Sequence, residues 1–306
     1  MGSSEARSEP RNNDRRETRS GLSSCADAQR PAVLITGSST GIGAACALDL
    51  DARGFRVFAG VRSEGDGERL RSRGSQRLSP VRIDVTEPET VRAAAEQVSA
   101  AVGEAGLAGL VNNAGVLVCA PIELVDLDLF RRQLEVNVIG VVAATQAFLP
   151  LVRAARGRIV NVGSISGRVV APCFGPYAAS KFALEALTDA LRVELRKWDI
   201  FVSIVEPDNV RTPIWDKLEK QPGEHFVHTL GLYDDELRAL RRATYALGKT
   251  GMPVERVVRA VRHALSARRP KTRYAVGVRT HLAFWAARHL PDRLRDWFIL
   301  RAVQTS

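Results

Sequence analysis

Cysteine is scarce in this chain, with four in 306 residues. Cys25, Cys46, Cys119 and Cys173 lie far apart and form no Cys-x-x-Cys pair and no Cys/His cluster. That argues against a disulfide framework and a structural zinc, and a reducing, cytoplasmic setting is expected. Long apolar runs are also missing. The longest nearly apolar stretch, Val138 to Leu149, is short for a bilayer and is interrupted by Thr145 and Gln146, so no transmembrane helix is expected. Residues 1–30 have almost no large apolar side chains and read as a disordered arm. No apolar segment follows their charges, as a secretory signal would require. Glu5, Glu9, Asp14 and Glu17 weigh against a mitochondrial presequence.

The net charge of +10 suggests nucleic-acid binding until it is divided along the chain. Residues 1–30 hold six Lys/Arg against five Asp/Glu, and residues 31–255 hold 26 against 27. Residues 256–306 hold twelve against two. The body is neutral, and the excess describes the C-terminal segment rather than the main activity. No recognised nucleic-acid-binding fold accompanies it, so no nucleic-acid partner is expected.

From Pro31 onward, short apolar runs alternate with helix-length segments. Ala32–Thr36, Arg56–Val61, Val81–Val85, Leu107–Val111, Arg158–Val162 and Phe201–Val205 are dense in Val, Ile and Phe without strict polar alternation. Such runs read as strands buried on both faces, as in a parallel sheet. Gly41–Arg53, Pro88–Val102, Leu127–Ala154 and Tyr177–Lys197 read as the helices between them. The alternation predicts an α/β fold, a doubly wound parallel sheet with helices on both faces. The expected layout is an arm over 1–30, one domain over 31–276 with a lid at about 212–250, and a basic helical tail over 277–306.

The first strand ends in Thr36-Gly37-Ser38-Ser39-Thr40-Gly41-Ile42-Gly43 and runs straight into a helix. Gly37, Gly41 and Gly43 free the backbone to approach a pyrophosphate, which would rest on the N–H groups of that helix end. Ser39, Thr40 and Ile42 complete this cofactor turn, whose spacing is GxxxGxG and not GxGxxG. The second strand closes at Val61-Arg62-Ser63, with no carboxylate to take a ribose 2′-hydroxyl. Arg62 stands where a 2′-phosphate would meet a forked guanidinium, so NADP(H) is preferred and NAD(H) stays open.

Tyr177 and Lys181 are four apart, one above the other on a helix. The ammonium is expected to stabilise the phenolate and draw the tyrosine pKa from about 10 towards neutrality. A tyrosine so tuned can exchange a proton with an alcohol or carbonyl oxygen. Ser164 closes the fifth strand at the carboxyl edge of the sheet, where its hydroxyl could hold the same oxygen.

Together with Asn112-Asn113-Ala114-Gly115, these segments resemble the short-chain dehydrogenase/reductase family from about Ala32 to Thr212. The resemblance implies a Rossmann-like fold and an enzyme acting on CH–OH with NAD(P). It makes Tyr177 the general acid/base and Ser164 the carbonyl-orienting hydroxyl. Lys181 would lower the tyrosine pKa and bind the nicotinamide ribose, and Asn137 matches the asparagine that anchors a proton-relay water. Asp84, in Ile83-Asp84-Val85, matches the residue that reads the adenine amino group, with Val85 beside it on the cofactor. Asn112, Ala114 and Gly115 would border the cofactor, and Pro207 and Thr212 would lie at its nicotinamide end. One departure is Pro207-Asp208, where the family usually has Pro-Gly. Asp208 either favours the cationic oxidised ring or faces solvent as a turn residue. A homodimer or homotetramer paired through the fourth and fifth helices is implied in the same way.

Past Thr212, the apolar residues Ile214, Trp215, Leu218, Phe226 and Tyr233 suggest a lid, and with Val118 and Phe174 a greasy pocket for a bulky alcohol or ketone. Packing of the lid onto the body would use the same residues. Glu206-Pro207, Val210-Arg-Thr-Pro213 and Arg273-Tyr274 resemble the branch with retinol and hydroxysteroid dehydrogenases, which also includes hydroxybutyrate dehydrogenase-like enzymes. In the tail, Leu290, Leu294, Trp297 and Phe298 fall at helical spacing, with Arg293 and Arg295 off that face. Two readings stay open there: peripheral contact with an anionic membrane, or packing on the body or a second subunit. Overall, the expected activity is interconversion of a lipophilic alcohol and its ketone or aldehyde. A cofactor-binding sensor or scaffold, or a membrane adaptor working through the tail, is the alternative.

Overall fold

A computed structural model describes residues 30–215, 232, 233, 235, 238, 242 and 250–304. The expected arm (Arg30 apart) and Leu218 and Phe226 of the lid lie outside the described residues. The described strands are Ala32–Ile35 (β1), Arg56–Val61 (β2), Leu78–Arg82 (β3), Gly109–Asn112 (β4), Arg158–Val162 (β5), Phe201–Pro207 (β6) and Arg273–Val276 (β7). They form one parallel sheet in the order β3-β2-β1-β4-β5-β6-β7. The helices are Gly41–Ala52 (α1), Glu64–Arg71 (α2), Pro88–Val102 (α3), Leu127–Leu134 (α4) and Gly140–Ala154 (α5). Then follow Gly175–Glu194 (α6), Val254–Ser266 (α7), Val278–His289 (α8) and Asp292–Gln304 (α9). This is the Rossmann-like doubly wound architecture that the strand–helix alternation predicts.

Successive β1 side chains feed opposite layers, which is why its sequence has no polar alternation. Val33 and Ile35 pack with Leu50 of α1 and Val257 and Val261 of α7. Leu34 packs on the other face with Val98 of α3 and Phe148 and Val152 of α5. The strand order reverses between β1 and β4, so a crevice opens at their carboxyl ends, where ligands of such sheets bind.

The third strand lies three residues earlier than the apolar pattern suggests, at Leu78–Arg82 instead of Val81–Val85. Pro80 hides it from a propensity reading, but β3 is the edge of the sheet, where a proline is tolerated. Ile83-Asp84-Val85 therefore forms the loop entering α3. Helix α2 is not expected from its sequence, since it is polar and contains Gly65 and Gly67. Its end is held by Ser63, whose hydroxyl accepts from the Asp66 N–H at 3.3 Å. The segment Leu127–Ala154 is helical throughout, yet a π-turn at Glu135–Ile139 divides α4 from α5. By length and hydropathy alone that segment could cross a membrane, but its α5 portion buries Phe148 and Val152 in the core.

Five charged side chains tie β7 to α6, β6 and the turn after β5. Arg168 donates to Glu206 at 2.9 Å, and Glu206 is 1% exposed. Arg273 of β7 donates to Glu185 and, at 2.7 Å, to Asp189, both on α6. Arg273 also reaches Glu206 at 3.4 Å, so Arg273→Met leaves the buried carboxylates of Glu185 and Glu206 short of a partner, and urea unfolding should show a loss of about 3–5 kcal/mol. An unchanged midpoint would contradict this. Burial and the neighbouring Glu206 carboxylate push Glu185 up to about 7, against the pull of Arg273. The folded chain thus keeps a proton that the unfolded chain releases, so this group's stabilisation is lost as pH rises from about 4.5 to about 7. In Glu185→Gln that slope should disappear from a stability–pH series.

Candidate active site

At the carboxyl end of β1, Gly37 has φ +67°, and a Cβ there would lie 2.7 Å from the Ala114 Cα. The turn therefore packs directly on the segment after β4. Thr36 Oγ1 accepts from the N–H groups of Asn113 and Ala114 at 3.0 and 3.1 Å. The Asn113 amide donates to the carbonyls of Thr36 and Gly37 at 3.0 and 2.9 Å. Helix α1 follows with no side-chain cap on its first turn and no acidic residue there. Its leading N–H groups are free donors at the positive end of the dipole, so the turn over Gly37, Ser39, Thr40, Gly41, Ile42 and Gly43 fits a pyrophosphate.

Two neighbouring asparagines divide the labour differently from the sequence expectation. The side chain of Asn112 is buried and donates to Asn161 at 2.9 Å and Thr145 at 3.0 Å, bracing β4, β5 and α5. Asn113 instead shapes the cofactor turn, and its place inside the Asn112–Gly115 motif was the available signal. Asp84 lies in the loop after β3, its carboxylate accepting from Thr86 N–H at 3.0 Å and Thr86 Oγ1 at 2.8 Å. Arg62 is exposed at the end of β2, beside the cap of α2.

The proton-transfer candidates meet one strand pair away. Ser164 follows β5, and its hydroxyl accepts from the Ser166 N–H at 3.1 Å, fixing the turn Ile165–Gly167. Tyr177 stands in the first turns of α6, near enough to Ser164 for that hydroxyl to favour the phenolate. One turn on, Lys181 is 6% exposed and donates to the Val162 carbonyl at 2.9 Å. Its ammonium lies 5.7 Å from the Tyr177 ring centroid.

The expected downward shift of the tyrosine is not found. Burial pushes Tyr177 up to about 12, with the Ser164 hydroxyl pulling against it and Cys119 adding to it. The ammonium is committed to a main-chain carbonyl, so it offers the phenolate no direct contact. Burial lowers Lys181 itself to about 8, with Glu185 opposing. The buried phenol is therefore a strong holder of its proton.

Asn137 sits in the π-turn, a widening often found at functional sites. Its Oδ1 accepts from Val116 N–H at 2.8 Å, and its Nδ2 donates to the Val116 carbonyl at 2.9 Å and Ser180 Oγ at 3.0 Å. Ser180 Oγ in turn donates to the Tyr177 carbonyl at 2.7 Å. Ser180 was not singled out from sequence, although it lies between Tyr177 and Lys181 in the motif. It is fully buried and links the widened turn to the backbone of the tyrosine.

Around this group, Phe174 packs on the buried pair Cys119 and Cys173 with Leu117 and Tyr233. Val118 is buried, its N–H donating to Gln133 at 2.6 Å. Trp215 donates its indole N–H to the Val210 carbonyl at 2.9 Å. Thr212 lies against the cofactor turn, where a Cβ on Gly41 would be 3.4 Å from the Thr212 Cβ. Asp208 donates its N–H to the Val276 carbonyl at 3.1 Å, which fixes the backbone after Pro207.

Ser180→Ala strips the buried Asn137 amide of one acceptor, which costs about 1–3 kcal/mol. Thermal unfolding should register the loss, and a wild-type melting temperature would contradict the linking role of Ser180.

Comparison with known proteins follows the same outline. The family model described as short chain dehydrogenase matches residues 31–223. The chain is 38% identical over 291 residues to retinol dehydrogenase 5 of Mus musculus, covering 89% of this chain and 90% of that one. It is 39% identical over 283 residues to 17-beta-hydroxysteroid dehydrogenase type 6 of Homo sapiens, covering 88% of each. A short chain dehydrogenase/reductase from Burkholderia phymatum in complex with NAD superposes with TM-score 0.71 at 27% identity, covering 86% of this chain and 93% of that one. A Burkholderia cenocepacia short chain dehydrogenase in complex with NADP gives 0.66 at 27% identity, covering 87% and 95%. The chain belongs to the short-chain dehydrogenase family and is an oxidoreductase of that family.

Proposed function

We propose that the protein uses NADP(H) to interconvert a lipophilic alcohol and its ketone or aldehyde, with a steroid, retinoid or similar lipid as substrate. The observation that carries this reading is the convergence of Ser164, Tyr177, Lys181 and Asn137 at the sheet edge next to the uncapped start of α1. When bound, the nicotinamide cofactor supplies or accepts a hydride. Ser164 and Tyr177 hold the substrate oxygen between their hydroxyls, and Tyr177 gives or takes its proton. Lys181 keeps positive charge behind the phenol, which favours the phenolate when the proton leaves. Asn137 and Ser180 hold the backbone of that tyrosine in place.

Arg62 supports the preference for NADP(H), since it is exposed and the strand it follows ends without an acid. The apolar substrate is supported by Phe174, Val118 and Trp215 and by the names of the retinol and hydroxysteroid dehydrogenases above. Phe182 and Val193 on α6 and Ile139 beside α5 are exposed, which supports pairing of two copies across these helices. Three described cysteines, Cys46, Cys119 and Cys173, are buried and outside any disulfide, in keeping with a reducing compartment.

The tail is two helices, α8 and α9, broken at Leu290-Pro291, and not the single amphipathic helix expected. Leu294, Trp297, Phe298 and Leu300 of α9 are exposed, so the stripe does not pack on the described body. Their mixture with arginine supports peripheral contact with the membrane in which such a substrate dissolves.

The test is NADPH oxidation across steroid, retinoid and short-chain carbonyls. Turnover should favour the lipophilic carbonyls; turnover confined to short polar ones would contradict the substrate class. Arg62→Ser should weaken NADPH by about tenfold or more while NADH changes little, as expected for one charge-assisted contact. Equal effects on both cofactors would contradict the role given to Arg62.

A further inference from the structure

Away from the proton-transfer residues, a cleft of about 510 Å³ opens beyond the ends of β6 and β7. Its described lining carries the guanidinium groups of Arg211, Arg256 and Arg279 against the single carboxylate of Asp208. Some surface arginines of this chain are paired locally, as Arg92 is with Glu89 and Arg131 with Asp128. The three at the cleft have no ion-pair partner among the described residues.

Two helices also begin at its wall. Helix α7 starts behind Pro253 and α8 behind Gly277, and neither has a side-chain cap. Their remaining first-turn N–H groups bring further donors and the positive ends of two dipoles to the same space, with the Arg256 N–H already bonded to the Pro253 carbonyl and Glu255 offsetting part of the charge at α7. Gly277 has φ +121°, and a Cβ there would lie 2.8 Å from the Met252 Cε, so the floor is shaped by bare backbone. Three unpaired guanidinium groups and two uncapped helix ends around one cleft have the chemistry of a phosphate site.

We propose that this cleft binds a phosphate group, carried either by a phospholipid headgroup or by a soluble phosphate ester. The lipid source is favoured by what lies next to it. On α8, Val278 is 83% exposed, Leu282 67% and Trp285 56%, at spacings that place them along one side of the helix. A headgroup in the cleft would put these side chains at the level where acyl chains begin. The lipid source rests on the membrane reading above, whereas the phosphate chemistry of the cleft does not.

Two arms separate the sources. Calorimetric titration with glycerol 3-phosphate reads the soluble one. Co-sedimentation with phosphatidylcholine vesicles, with and without phosphatidic acid, reads the lipid one. The cleft variant is Arg256→Gln/Arg279→Gln, and the control is Arg269→Gln/Arg293→Gln, which removes equal charge elsewhere. Reduction of a soluble carbonyl should proceed in both variants, showing that they fold. Wild type should bind in at least one arm, and the cleft variant should lose about tenfold per arginine while the control loses much less. Glycerol 3-phosphate binding with no sedimentation on any vesicle leaves the cleft standing and removes the membrane reading. Sedimentation on phosphatidylcholine alone, with phosphatidic acid adding nothing and no titration signal, overturns the cleft and keeps the membrane reading. Equal losses in both variants would mean diffuse charge and would also overturn it.

Discussion

An ammonium taken out of water has to find an oxygen, and the oxygen that Lys181 finds is the carbonyl of Val162, the last residue of β5. That contact joins the middle of α6 to the carboxyl edge of the sheet. It places Tyr177, one helical turn earlier, beside Ser164, two residues past the strand. A second polar contact, from the Asn161 amide of β5 to Thr188 of α6 at 2.8 Å, acts with it to fix strand against helix. Burial lowers the ammonium to about 8, and the nearby Glu185 carboxylate keeps it from falling further.

Glu185 connects this join to the periphery. It lies one turn beyond Lys181 on α6, and through Arg273 it reaches β7, the strand from which the C-terminal helices depart. Arg168 stands just past the Ser164 turn, bonded to Glu206 and stacked on Phe284 of α8 at 5.0 Å. The same charges therefore hold the Ser164 turn, helix α6 and the base of the tail. Helix α8 is thus one stacking contact away from the turn that carries Ser164.

The sheet was legible where both of its faces are buried, as in β1, β2 and β5, because apolar residues dominate such strands and the buried Asn161 of β5 is held by Asn112 and Thr188. It was misread at β3, where an edge position admits Pro80, and α2 left no pattern because Leu70 is its one fully buried side chain with a large apolar group. The glycine turn and the Ser164, Tyr177 and Lys181 set were legible because each rests on local backbone geometry. The π-turn at Asn137 was not, since apolar periodicity runs through it without a break. Nor could sequence tell Asn112 from Asn113, adjacent residues whose side chains leave the strand end in different directions. The tyrosine pKa failed for a related reason. Helical spacing brings Lys181 near the ring, but only the fold shows its ammonium bonded elsewhere and the phenol buried.

The account stands on Tyr177 as the residue that moves the proton, and the most direct measurement is single-turnover reduction of a lipophilic ketone by the Tyr177→Phe variant. Removing a general acid while keeping the ring predicts a loss of about 10²–10⁴-fold in the chemical step. NADPH binding, followed by its fluorescence, should stay near wild type. A variant that reduces the ketone at the wild-type rate would contradict the account, whatever the substrate proves to be.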